Sequence, residues 1–211
     1  MRVAARPADG LCSRPRSWKC RVDLLDLLNQ RRSTPARLLG EPGPGPAQLE
    51  RLLTAALRVP DHGRLVPFRI VTLQGAARAR FAEAVAAIHA RIDPQAPAAA
   101  LDKDRSRFGT PPLILCVIAR IAAAQAKVPE QEQLLAAGCV AYNLLLGAQA
   151  LGFGAQWLTG WAAYDREVAA LLGLAAHERV VGFVHVGSAR EPVPERLRPG
   201  LAEVVSDWTP V

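Results

Sequence analysis

The stretch with the plainest chemical potential in this 211-residue chain is Arg31-Arg32-Ser33-Thr34. Guanidinium forks match phosphate oxygens two at a time and nearby hydroxyls complete the shell, so this tetrad is a competent phosphate clamp. Arginines at a helix end also complement the helix dipole, and spacing alone leaves both readings open. A second polar group, Arg58-Val59-Pro60-Asp61-His62-Gly63, gathers a guanidinium, a carboxylate and an imidazole on one turn. Its plain reading is an exposed loop; its functional reading makes His62 a hydrogen-bond or proton donor. The sequence carries no G-x-S-x-G, no G-x-x-x-x-G-K-S/T, no H-E-x-x-H and no Cys/His spacing suited to zinc. A chain without an evident nucleophile, base or metal cluster points towards an organic cofactor, with no metal expected.

These groups need a scaffold, and its centre is the segment Pro129 to Gly160. From Leu134 to Leu151 no side chain is charged. A helix apolar all round is buried or spans a membrane. Burial is expected here, under the chain's own elements or a second subunit, because amides near mid-span are costly in lipid and the segment has no second span beside it. Around it, apolar spacing predicts helices from Val22 to Gln30, from Ala47 to the turn at Arg58, from Gly75 to Ile92 and from Asp165 to Leu172. Extended segments are expected at Phe68–Leu73, Leu113–Ile118, Gln156–Gly160 and Val180–Gly187. Residues 94–112 read as a mobile loop carrying a short helix around Ala99 to Arg107, and the tail from Ser188 as irregular. The sum is an α+β domain over residues 22–211.

The net charge of +7 invites a nucleic-acid reading, but +5 of it lies in residues 1–21, among Arg2, Arg6, Arg14, Arg16, Lys19 and Arg21. That arm reads as a disordered extension or as sequence upstream of the true start. The remainder is nearly neutral, so no nucleic-acid partner is expected for the domain. Cys116 and Cys139 lie in apolar surroundings and read as buried, reduced thiols in a cytoplasmic protein.

With these blocks laid out, the chain resembles the nitroreductase-like family of FMN-dependent oxidoreductases, in its small YdjA-like branch. The resemblance rests on LLDLLNQRRS (24–33), the Arg58–Gly63 turn, Lys127-Val-Pro with Glu132-Gln133, Ala137-Gly-Cys139, Gly152-Phe-Gly154, Gln156-Trp157 with Gly160, and Val181-Gly-Phe183 leading to Val186-Gly187. It implies a three-layer fold with a central, mostly antiparallel sheet, helices on either side and a long buried central helix, in an interlocked homodimer with FMN at the subunit interface. It assigns Arg31, Arg32 and Ser33 to the FMN phosphate and ribityl chain, Arg58 and His62 to FMN from the second subunit, and Trp157, Leu158 and Thr159 to a further FMN contact. Gly147, Ala148, Gln149, Ala150, Leu151 and Gly152 match a segment assigned to NAD(P). The implied activity is ping-pong transfer from NAD(P)H through FMN to a nitroaromatic, quinone or similar electron-poor acceptor. Val66-Pro67-Phe68 and Leu158 depart from the residues many relatives carry. The alternatives are a flavin-binding protein with little turnover and a nucleic-acid-associated protein acting through the basic arm.

Overall fold

A computed structural model describes residues 23–122 and 127–210, so the expectation for the basic arm lies outside the described residues. Helix α1 (Leu24–Gln30) starts at Asp23, whose carboxylate accepts from the Leu25 N–H at 2.8 Å. A two-residue strand β1 (Leu39–Gly40) precedes α2 (Pro46–Ala56), which opens on Pro46, where the missing N–H costs nothing. Strand β2 (Phe68–Gln74) turns into α3 (Gly75–Ile92) and α4 (Ala98–Gly109). The short helix expected around Ala99 to Arg107 is present as α4, and it takes up most of the segment expected to be loop. Its polar composition hides one inward stripe, in which Asp104 and Phe108 are buried. Then come β3 (Leu113–Arg120), α5 (Glu130–Ala150), β4 (Gly154–Leu158), α6 (Arg166–Leu171), β5 (Glu178–Ala189) and α7 (Leu201–Val204). The Asp165 carboxylate caps α6 by accepting from the Glu167 and Val168 N–H groups.

All strand pairs are antiparallel, in the order β1-β5-β3-β2, with β4 also on β5. One edge of β5 thus serves two strands in succession. β4 lies opposite Phe183–Gly187, and β1 opposite Ser188–Ala189. Both faces of the sheet are covered. On one, α5 and α2 bring Val140, Leu144 and Leu52 against Leu115, Val117, Val184 and Val186. On the other, α3, α4 and α6 bring Phe81, Val85, Phe108 and Val168 against Ile114, Cys116, Ile118 and Phe183. Phe108 meets both Phe81 and Phe183 edge-on, with centroids 5.3 and 5.0 Å away. Each such ring contributes roughly 2–3 kcal/mol by leaving water. Double coverage explains why β3 reads as a continuous apolar run. It also makes the fold the three-layer α+β arrangement that the resemblance implies.

The central helix is present as expected, but the reading of Cys139 as a buried thiol needs correction. α5 lays Ala137, Val140, Ala141, Leu144 and Ala148 on the sheet, but Leu134, Leu135, Cys139 and Tyr142 remain exposed. One face is therefore open in the single chain, and Cys139 is no buried thiol. Cys116 is buried, and burial pushes its thiol up to about 12. Among the described residues α5 is the one helix long and apolar enough to cross a membrane. Its inward face is instead packed on the sheet and on α2.

Candidate functional site

The clamp tetrad leaves α1 as extended backbone, with Arg31 at φ −62° and ψ 123°. The Thr34 N–H donates to the Ala155 carbonyl at 2.9 Å, and the Ala36 N–H donates to Gln156 Oε1 at 2.7 Å. These bonds fix the tetrad along the free edge of β4. Gly154 permits the approach: a Cβ there would stand 2.9 Å from Thr34 Oγ1. Arg31 Nη1 donates to Ser33 Oγ at 3.4 Å, which groups the two predicted ligands. The Arg32 side chain, 19% exposed, donates to the Pro194 carbonyl and lies 3.5 Å from Glu195 Oε1. Arg198 stands 3.4 Å from the same oxygen and donates to the Arg31 carbonyl at 3.2 Å. The Arg196 N–H, with Arg32 and Arg198, holds the Glu195 carboxyl below its usual range. The clamp thus faces a tail that reads as irregular in sequence, and the tail's Glu195 carboxylate rests between Arg32 of the clamp and Arg198 of the tail.

Further along β4 stands Trp157. Strands β3 and β5 slip register between Val117/Gly182 and Ile118/Val180, which leaves Val181 as the extra residue of a bulge. Its carbonyl accepts from Trp157 Nε1 at 3.2 Å. The indole lies over Gly182, where any Cβ would collide with it. Bulges near sites commonly re-aim a group in this way. Leu158 ends the strand, and Thr159 leads to Gly160 at φ 65° and ψ −174°, a conformation suited to glycine. Trp161 then donates Nε1 to Asp104 Oδ2 at 3.1 Å, and Asp104 also holds His89 Nδ1 at 2.5 Å. The loop after β4 is therefore anchored to α4.

The segment Gly147–Gly152 closes α5, and its residues divide between two clefts. Gln149 and Gly152 line one of about 370 Å³ together with Arg32, Thr34, Phe153 and Gly154. Gly147, Ala150 and Leu151 line a larger one of about 650 Å³ with Arg51 and Arg58. Ala148 is buried. Gly147 is where α2 crosses closely, since a Cβ there would meet Leu52 Cδ1 at 2.6 Å. Arg58 thus lines the larger cleft, while Arg32 and Thr34 of the clamp line the smaller one. His62, 61% exposed, pairs Nδ1 with Glu132 Oε2 at 2.7 Å. The Asp61 carboxylate accepts from the Leu65 and Val66 N–H groups at 3.1 and 2.9 Å. It braces a turn in which Arg64 and Val66 adopt φ of 53° and 49°. For a β-branched residue that is strained backbone.

A model of the Nitroreductase family matches residues 28–188. The chain belongs to that family. It is 32% identical over 177 residues to a Haemophilus influenzae protein named "Putative NAD(P)H nitroreductase", spanning 84% of this chain and 94% of that protein. It is 35% identical over 169 residues to the Escherichia coli protein of the same name, YdjA, spanning 79% and 88%. Among solved structures, a nitroreductase-like family protein from Bacillus cereus superimposes with a TM-score of 0.75 at 20% identity, over 90% of this chain and 98% of that one. A "putative nitroreductase in complex with FMN" from Desulfovibrio desulfuricans reaches 0.66 at 21% identity, over 88% and 97%. At those identities the likeness shows the fold. For this nitroreductase-family chain, sequence reading missed Glu195, Arg198 and the α4 residues behind Gly160. No local pattern marks them, because each joins the site from a distant segment.

Proposed function

We propose that this family member is an FMN-dependent NAD(P)H oxidoreductase of cytoplasmic location, a homodimer that reduces electron-poor acceptors such as nitroaromatics or quinones. The observation that carries the reading is the clamp beside β4, where Glu195 already rests as an anion between Arg32 and Arg198. A place that holds a carboxylate between two guanidinium groups suits a phosphate, which matches their fork geometry better. The residues present therefore fit the group. Arg31, Arg32 and Ser33 would hold the phosphate end, and Trp157, Leu158 and Thr159 would border the ring. Arg58 and His62 would reach it from the second subunit. The end of α5, Gly147 to Gly152, would receive the nicotinamide dinucleotide. FMN, when bound, would supply the two-electron chemistry that links NAD(P)H to the acceptor in alternating half-reactions. The protein's part is to bind, orient and exclude water. His62, with Nδ1 on Glu132, has Nε2 for a hydrogen bond to an acceptor.

The test is the visible spectrum of the purified protein with added FMN, before and after anaerobic NADPH or NADH. Flavin bands that bleach with either nucleotide support the reductase. Bands that persist favour the carrier with little turnover, and a chain that refuses FMN ends the reading. Arg32→Ala should weaken FMN binding about 10- to 100-fold, the worth of a charge-assisted contact, as read by flavin fluorescence titration.

A further inference from the structure

Arg107 is half-buried on α4, and its guanidinium carries no hydrogen bond or ion pair among the described residues. Its natural neighbour for pairing, Asp104 one turn earlier, is already taken by His89 and Trp161. The guanidinium instead lies against Gly160, where a Cβ would stand 2.7 Å from Nη1 and 3.7 Å from Cζ. Beneath it is His185, whose ring packs on Phe108 and whose two nitrogens have no partner among the described residues. Burial, and then the Arg107 charge, hold that imidazole neutral, and neither of its forms could balance a cation. A partly desolvated cation without an anion is costly. It is also aimed at the loop that follows Trp157-Leu158-Thr159, none of which brings charge.

We propose that Arg107 is the residue that sets the electron affinity of the flavin, by placing an uncompensated positive charge behind the Trp157–Gly160 loop. This deepens the reading above and rests on it. Oxidised FMN has an uncharged ring; two electrons and one proton leave that ring with a net negative charge. A fixed cation nearby favours the reduced side, while the oxidised ring feels little of it. The same charge at an exposed surface would be screened; half-burial behind the loop preserves it. Arg107 acts through space on the ring and needs no contact with the substrate.

The experiment measures the midpoint potential of FMN bound to wild type, Arg107→Met and Arg107→Lys by anaerobic dithionite titration against a reference dye, with the FMN dissociation constant of the oxidised state alongside. Arg107→Met should lower the potential so that the reduced-to-oxidised ratio at fixed potential falls about tenfold, which is about 30 mV for a two-electron couple. Arg107→Lys should stay near wild type, and oxidised FMN should bind all three within about threefold. Equal potentials in wild type and Arg107→Met, or equal shifts in the Lys and Met variants, overturn the assignment while leaving the flavin reading intact. Wild type that binds no FMN overturns both. If neither Arg107→Met nor Arg107→Gln folds by circular dichroism, the residue is structural and the proposal falls.

Discussion

His185 shows how one residue can shape the acid response of the whole chain. It is buried at the middle of β5, and burial, aided by the Arg107 charge, pushes its imidazole from about 6.5 down to about 3. Above pH 6.5 the folded and unfolded chains are both neutral there, and the residue contributes nothing to pH dependence. Below that value the unfolded chain takes up a proton that the folded chain refuses, so stability falls as pH drops towards 3. Each pH unit in that window costs about 1.4 kcal/mol. Urea denaturation between pH 6.5 and 5 should show wild type losing about 2 kcal/mol more than His185→Leu. Parallel curves would mean that the imidazole is solvated after all. Its burial was legible from the apolar run around it; its lack of partners was not, because partners come from other segments. Cys139 shows the converse. Its apolar neighbours in sequence suggest burial, yet the helix turns it outward.

At the scale of elements, the strongest periodicities were read correctly. α3 runs over the residues its apolar spacing indicates, and Asp165 caps α6 as its position suggests. β1 and α7, two and four residues long, leave no periodic trace. The bulge at Val181 is also silent in sequence, since it depends on the register of β5 against β3. Glycines expose this hidden layer. Gly147 and Gly182 sit where α2 and the Trp157 indole approach their backbones, whereas a Cβ at Gly138 would meet nothing within 4 Å. Gly147→Ala and Gly182→Ala should each cost about 1–3 kcal/mol by overpacking. Gly138→Ala should gain up to about 1 kcal/mol from helix propensity. Denaturant midpoints at one chain concentration rank the three, and Gly182→Ala should also weaken FMN binding. A neutral Gly182→Ala would show that the indole is free to move aside.

For the whole molecule, the open face of α5 is the feature that most needs a covering. Leu135, Cys139 and Tyr142 lie on it, and Leu24 and Leu25 of α1 are exposed as well. In the proposed homodimer this surface meets its copy, as obligate apolar interfaces do. Leu135→Glu should convert the chain to a monomer in analytical ultracentrifugation and lower its FMN affinity in the same step. Wild type that sediments as a monomer at micromolar concentration would remove the dimer from the proposal. Sequence could show that this helix is uncharged, but not which of its faces the chain itself would cover. That division is set by where α2 and the sheet end.

The sheet carries a further consequence, in the order of synthesis. β5 pairs with β1, β3 and β4, and it is the last of the five strands to be made. Until it emerges, β2 and β3 form a pair with the inner edge of β3 bare, while β1 and β4 have no strand to join. Long-range pairing of this kind is slow and leaves sticky edges open. A ribosome stalled before residue 178 would therefore carry a nascent chain with every helix of the core already translated and no closed sheet to pack them on. Such a chain is a natural client for a holding chaperone, and release should wait on the twelve residues of β5.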